Sequence, residues 1–246
     1  MRLAVIADTH GNMEAFRSVL ADIDAAAVDR IVSLGDNIGY GAESEQVMAL
    51  IRERGIPSVL GNHELAVKSP RFYRWFNPQV RSTLKTIFSG LSERTVTEIR
   101  GMEPSRVQWG CRFVHGFPPR SPVLYLHQMS ERKIRRAFDR IDETRCFIGH
   151  THDLALVCVT GDAAALLPFT RGTFALGADR KYLVNVGAVG QPRDGDNRAK
   201  YVIWDSALSS VEVRFVRYDI ETAARKILDA GYPENFAARL GYPIRL

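Results

Sequence analysis

The chain opens with an apolar run, residues 3–7, that stops abruptly at Asp8-Thr9-His10-Gly11-Asn12. Such a run suffices for one buried strand and falls far short of a membrane span. Over residues 12–26 the period becomes helical, with Met13, Phe16, Leu20 and Ile23 on one face and Asn12 as a natural N-cap. The alternation then repeats. Residues 30–34 form a second predicted strand ending in Gly35-Asp36, followed by a helix over 43–54 that Gly55 and Pro57 stop. Residues 58–60 form a third, ending in Gly61-Asn62-His63-Glu64. Three strand–polar turn–helix units in succession predict a parallel sheet with crossover helices, whose chemistry collects at the C-terminal strand ends.

Residues 65–103 break this rhythm. They lack strand character, carry Phe72, Tyr73, Trp75 and Phe76, and contain a predicted helix over 78–89. We read them as a helical insertion beside the site, within a single domain spanning 1–246, with the aromatic residues expected in the core. Residues 106–114 return to strand, interrupted by Gly110, and end in His115-Gly116. A helix over 130–141 turns Ile134, Phe138 and Ile141 inward and Arg132, Lys133, Arg135 and Arg136 outward, a solvated face rather than a nucleic-acid surface. Residues 145–148 form another strand, ending in Gly149-His150-Thr151-His152. Short strands fill 154–216, with 201–204 and 211–216 as a pair. The tail from Ile220 is helical, interrupted at Gly231-Tyr232-Pro233.

The composition is that of a globular protein, 46% hydrophobic and 25% charged. Cys111, Cys146 and Cys158 form no close pair, so they read as free thiols of a reducing compartment rather than a disulfide framework or a zinc ribbon. No basic segment followed by a sustained apolar stretch opens the chain, so a cytoplasmic location without membrane association is expected. The net charge of +5 favours anionic partners. A small phosphorylated molecule is preferred to nucleic acid.

Five of the six histidines, His10, His63, His115, His150 and His152, directly follow predicted strands; only His127 does not. Asp8, Asp36 and Asn62 fall at the same places. Asp8 and His10 are expected on extended backbone, where alternate residues share a target. Carboxylate, imidazole and amide oxygen without thiolate suit manganese, iron, nickel or zinc. The donors exceed the needs of one ion, and a carboxylate such as Asp36 can bridge two.

The motifs Asp8-Thr9-His10, Gly35-Asp36, Gly61-Asn62-His63-Glu64, His115-Gly116 and Gly149-His150-Thr151-His152 resemble, in order and spacing, those of the calcineurin-like metallophosphoesterases. The later Gly190-Gln191-Pro192-Arg193-Asp194 is similar to a stretch of the small bacterial members. The resemblance implies an α/β fold of two facing mixed β-sheets flanked by helices, a four-layer αββα sandwich. It also implies two divalent transition-metal ions, with manganese the expected ion. The first would be held by Asp8, His10, Asp36 and His152, the second by Asp36, Asn62, His115 and His150. His63 would be the proton donor and charge stabiliser at the ester rather than a ligand. The implied reaction is hydrolysis of a small phosphomonoester, phosphodiester or nucleotide by a metal-bridging hydroxide. A dinucleoside polyphosphate hydrolase or nuclease is the alternative, and a non-catalytic protein-binding scaffold the rival of a different class. The pattern departs from the family in one respect: no arginine follows Asp36 in Asn37-Ile38-Gly39-Tyr40-Gly41, so Arg193 or Arg120 would have to supply a phosphate-gripping guanidinium. Asn185-Val186-Gly187-Ala188 also differs from the family's usual stretch and is expected to alter the site wall.

Overall fold

The structure, a computed structural model, describes residues 1–241 and 243. The first half runs β1 (Arg2–Ile6), α1 (Met13–Ala25), β2 (Arg30–Ser33) and α2 (Ser44–Glu53). Three further helices follow, α3 (Asn62–Lys68), α4 (Pro78–Ser89) and α5 (Glu93–Gly101), with a 3-10 turn at Pro70–Trp75. The hairpin β3 (Ser105–Gln108) and β4 (Cys111–Val114) leads to α6 (Glu131–Phe138) and β5 (Arg145–Ile148). The strands β6 (Leu154–Thr160), β7 (Ala163–Leu167), β8 (Gly172–Ala175), β9 (Lys181–Val186), β10 (Ala199–Asp205) and β11 (Ser210–Val216) precede α7 (Ile220–Asp229) and α8 (Glu234–Ala238).

These strands form two mixed sheets, in the orders β2-β1-β10-β11-β8 and β3-β4-β5-β9-β6-β7. The pleat of β1 explains why both faces are buried. Leu3, Val5 and Ala7 point into the core between the sheets, where they meet Phe113, Phe147 and Val184 of the second sheet. Ala4 and Ile6 point the other way, onto Phe16, Val19 and Val47 of α1 and α2. On the far side, Ile134 and Phe138 of α6 cover Cys146, Ile148 and Leu183. The result is helices, sheet, sheet and helices in four layers. β1 and β2 are parallel, as the repeated units predict, but β10 pairs antiparallel with β1. A purely parallel sheet is therefore not what forms; the late antiparallel strands complete both sheets.

Two local expectations are corrected. Residues 58–60 do not make a strand; Ser58 forms only an isolated parallel bridge with Ser33, because the chain turns into α3 two residues later. The aromatic residues of 72–76 are only partly core: Tyr73 and Phe76, both half-buried, pack against the cluster between α4, α7 and α8, whereas half-buried Phe72 and 68%-exposed Trp75 line the rim of the site. The helix over 78–89 forms as expected, started by the Asn77 side chain accepting from the Val80 N–H, and the three cysteines are free and buried. Among the described residues, no helix is long and apolar enough to cross a membrane.

The inter-sheet core joins the two sheets. Phe113 and Phe147, both fully buried, stack at 5.6 Å between centroids. Phe147→Ala should remove ~3–5 kcal/mol from the unfolding free energy, the usual cost of emptying a buried aromatic site. Equilibrium denaturation in urea measures this, and a loss under ~1 kcal/mol would contradict the tight packing described here.

Candidate metal centre

The residues at the strand ends do not continue the strands. Asp8, His10, Asp36, His150 and His152 all have positive φ, between 48° and 70°. The expectation that Asp8 and His10 share a target through extended backbone is thus corrected: they converge because the chain kinks left-handed at each. Such kinks cost of order 1–3 kcal/mol apiece and persist only where surroundings over-determine them. Here backbone bonds do so, from Asp8 N–H to Gly35 O (3.1 Å), His10 N–H to Asp36 O (2.9 Å) and Gly190 N–H to Asp8 O (2.9 Å). Gly190 has no alternative, since a Cβ there would lie 1.8 Å from the Thr9 carbonyl oxygen.

The kinks bring Asp8, His10, Asp36, Asn62, His63, His115, His150 and His152 into one buried cluster. Three sets of potential donor atoms lie close together: Asp8, His10 and His152; Asp36, His115 and His150; and His10, Asp36 and His63. Asn62 Oδ1 is 3.1 Å from His115 Nε2. Asp36 Oδ2 stands between the first two sets, 3.7 Å from His10 Nε2 and 3.3 Å from His115 Nε2.

The tautomers can be read from the other ring nitrogens. Nδ1–H of His10 donates to Ile38 O (3.0 Å), Nδ1–H of His115 to Leu34 O (3.0 Å), and Nδ1–H of His152 to Gln191 O. A backbone carbonyl only accepts, so in the neutral rings each Nε2 carries a lone pair aimed into the cluster. The His10 and His152 Nε2 atoms are 3.1 Å apart with no proton to share between neutral rings. Asp8 Oδ2 accepts from His150 N–H (3.0 Å), while Asp8 Oδ1 is buried without a hydrogen-bond partner, 3.4 Å from His152 Nε2. Lone pairs and an orphaned carboxylate oxygen facing one another is a costly arrangement for protons alone. Donors about 3.0–3.4 Å apart are what metal–nitrogen bonds of about 2.1 Å require. The donor set therefore fits divalent cations.

The buried groups shift one another's titration in opposite directions. Burial pushes the Asp8 carboxyl up to about 7. Burial also works on Asp36, but the imidazoles of His115, His63 and His10 outweigh it and hold that carboxyl well below its usual range. His115 is raised to about 9 because Asp36 overcomes the effect of burial. Burial drives His10 and His152 well below the ordinary imidazole value and His63 down to about 4.

His63 lies on the first turn of α3, not on extended backbone, and its N–H donates to Asp36 Oδ1 (2.9 Å). Among the described residues no hydrogen-bond partner is found for its buried Nδ1. The ring is instead fixed by packing, against Phe76 at 4.9 Å, Tyr40 at 5.0 Å and the backbone of Gly39. A Cβ at Gly39 would fall 2.1 Å from His63 Nδ1, so this glycine makes room for the ring. His127 is exposed and stacks on Tyr125, outside the cluster.

Several further residues support the cluster from outside it. Buried Glu64 accepts the Asp36 N–H (2.9 Å) and Asn37 N–H (2.7 Å), so one carboxylate holds the turn that presents Asp36. Asn185, in the stretch expected to alter the wall, donates to Gly149 O (3.1 Å) and Thr151 Oγ1 (2.7 Å), bracing the turn of His150 and His152. Tyr125 stacks on His150 at 3.8 Å. Exposed Arg193 lies at the entrance, its Cζ 5.8 Å from the Tyr40 ring centre and its Nη2 3.1 Å from Gln191 Oε1. Fully buried Lys200 anchors that loop through Asp194 Oδ1 (2.7 Å) and Arg198 O (3.1 Å). Glu64, Asn185 and Arg193 lie in stretches that the sequence singles out, whereas nothing in the sequence pointed to Tyr125 or Lys200.

A family model described as the calcineurin-like phosphoesterase superfamily domain matches residues 1–207. The chain is 31% identical over 241 residues to an uncharacterized protein of Methanocaldococcus jannaschii, covering 97% of this chain and 96% of that one. Its structure is similar to that of a metallophosphoesterase from Sphaerobacter thermophilus, with a TM-score of 0.82, 32% identity and coverage of 98% and 99%. A hypothetical protein from Pyrococcus horikoshii shares the fold, with a TM-score of 0.80 at 16% identity and 97% coverage of both chains.

The Glu64 bridge yields a direct test. Glu64→Ala leaves two buried N–H groups unpaired and frees the Asp36 turn, so divalent-metal affinity should fall ~10–100-fold, the usual effect of losing a group that orients ligands. Glu64→Gln, which keeps one acceptor oxygen, should fall between. Calorimetric titration with manganese measures both, and equal affinities for all three proteins would remove the bridge from the account.

Proposed function

The chain belongs to the calcineurin-like phosphoesterase superfamily, and on that premise we propose that it is a two-metal hydrolase of small or nucleotide-like phosphate esters. The observation that carries the reading is the position of Asp36 Oδ2 between two sets of inward-facing imidazole nitrogens. Asp8, His10, Asp36 and His152 would hold one ion, and Asp36, Asn62, His115 and His150 the other, with manganese the preferred metal. When bound, two such ions supply Lewis-acid stabilisation of the phosphoryl oxygens and a nucleophile at neutral pH.

The chain's own residues do the rest. Carbonyl-anchored His10, His115 and His152 keep fixed orientations, so the centre needs little reorganisation as charge shifts. His63 serves as proton donor to the departing oxygen. Burial lowers its basicity, and a phosphate anion beside the ring would act in the opposite direction by favouring the charged form. Exposed Arg193 adds a guanidinium at the entrance, but not the fixed clamp that an arginine following Asp36 would give. The basic net charge helps to attract an anionic substrate.

Two measurements test this reading. His63→Ala should retain metal content yet lose turnover by roughly 10²–10⁴-fold, most for esters with poor leaving groups. Loss of metal, with one proportional rate drop across all leaving groups, would instead make His63 a ligand, as its proximity to His10 and Asp36 allows. The second compares kcat/KM with manganese for an activated diester, an activated monoester, a dinucleotide and a phosphopeptide. A diester carries one charge and needs less neutralisation than a dianion, so in the absence of an arginine after Asp36 it should lead, with the phosphopeptide last. A preferred phosphopeptide would overturn the substrate assignment.

A further inference from the structure

Beside the cluster lies a cavity of about 130 Å³ whose floor is Asn62 and His150. One wall is made by Phe72 and Trp75 of the 3-10 turn with the following Phe76, the other by Val123 and Tyr125. Phe72 and Trp75 meet edge to face at 4.9 Å, and Tyr125 lies flat on His150 at 3.8 Å. Trp75 is 68% exposed, so part of its ring remains free to meet a ligand at the cavity. The volume approaches the ~150 Å³ of a cavity known to take up benzene, so one flat ring system can enter. Arg71, stacked over Phe72 at 4.9 Å, adds positive charge at the mouth.

From this we propose that the cavity is a subsite for a planar aromatic group carried by the substrate, a nucleobase or an aryl ring linked to the phosphate. The inference rests on the phosphoesterase reading, because only a phosphate held by the neighbouring donors places the rest of the ester over Asn62 and His150. The walls are chemically suited to stacking and not to reading base edges. Aromatic faces accept any π-surface, and apart from the floor the lining offers few side-chain hydrogen-bonding groups. The subsite therefore selects for a ring without distinguishing strongly among bases. It also gives the exposed aromatic residues of this segment a role that core packing does not.

The test uses the metal-loaded protein. Trp75 is one of three tryptophans; Trp109 sits in the turn between β3 and β4 and Trp204 on β10, both away from the cavity. Adenosine, which has no phosphate to hydrolyse, should quench the intrinsic fluorescence saturably, and ribose should not. Trp75→Ala, a change at an exposed position, should abolish that response. In turnover, the kcat/KM ratio for the methyl diester of AMP over that of ribose 5-phosphate should fall about tenfold in the same variant. Methyl phenyl phosphate identifies the source of the ring: preference for it over the AMP diester, lost in Trp75→Ala, assigns the subsite to an aryl ester. Equal effects of adenosine and ribose, or equal losses for ring-bearing and ring-free esters, would overturn the proposal. Ring-selective quenching without turnover of any ester would leave the subsite standing and remove the phosphoesterase reading beneath it.

Discussion

Left-handed backbone at five cluster residues is the constraint on which the rest of the site depends. Asp8, His10, Asp36, His150 and His152 each occupy a region that costs an L-residue roughly 1–2 kcal/mol, and none is glycine. The cost is sustained because the turns brace one another. Asp8 bonds to Gly35 O, His10 to Asp36 O and Gly190 to Asp8 O, while the Asp8 side chain itself takes the His150 N–H. The close approach of Gly149 to Ala7 and of Gly190 to Thr9 leaves no room for a side chain at either position. The inter-sheet core holds the two sheets from which these turns emerge, with Val5 of β1 and Ala7 just after it packed in one cluster with Phe147 of β5. Sheet packing and site geometry are consequently one problem.

The same geometry creates an electrostatic demand. Two carboxylates and five imidazoles are buried together, with three of the rings donating their only neutral-form hydrogen to backbone carbonyls. Protons satisfy this poorly: Asp8 is driven up while Asp36 is driven down, and Asp8 keeps an unpartnered oxygen. Divalent cations would meet all the inward lone pairs at once. The arrangement is pre-organised for charge that the polypeptide does not itself supply, a property expected of a catalytic centre.

The helices at the open end link this centre to whatever it acts on. α3 begins at Asn62, so a donor, His63 and the Glu64 bridge all sit on its first turn. The segment that follows brings Phe76 onto His63 and Trp75 to the rim. α4 packs against α7 and α8, and Phe236 of α8 meets Tyr40 edge-on at 5.0 Å. The C-terminal helices thereby support a ring that in turn touches both His10 and His63.

Much of this was legible in the sequence because it depends on local pattern. The alternating strands and helices, the Asn12 cap, the helix over 78–89 and the grouping of Asp8, His10, Asp36, Asn62, His63, His115, His150 and His152 follow from periodicity and from polar residues at strand ends, while their division into ligands and a proton donor is what the family resemblance implies. Other features depend on atoms distant in the chain. The left-handed turns are imposed by neighbouring strands, and extended backbone is the better local prediction for Asp8 and His10. The roles of Glu64 toward Asp36 and of Asn185 toward Thr151 need partners 28 and 34 residues away. Phe72 and Trp75 look like core residues in sequence, because apolarity alone does not tell a side chain whether its segment will lie within a sheet sandwich or along its rim. Only the tertiary structure decides that, since burial is a property of what packs around a residue and not of the residue itself.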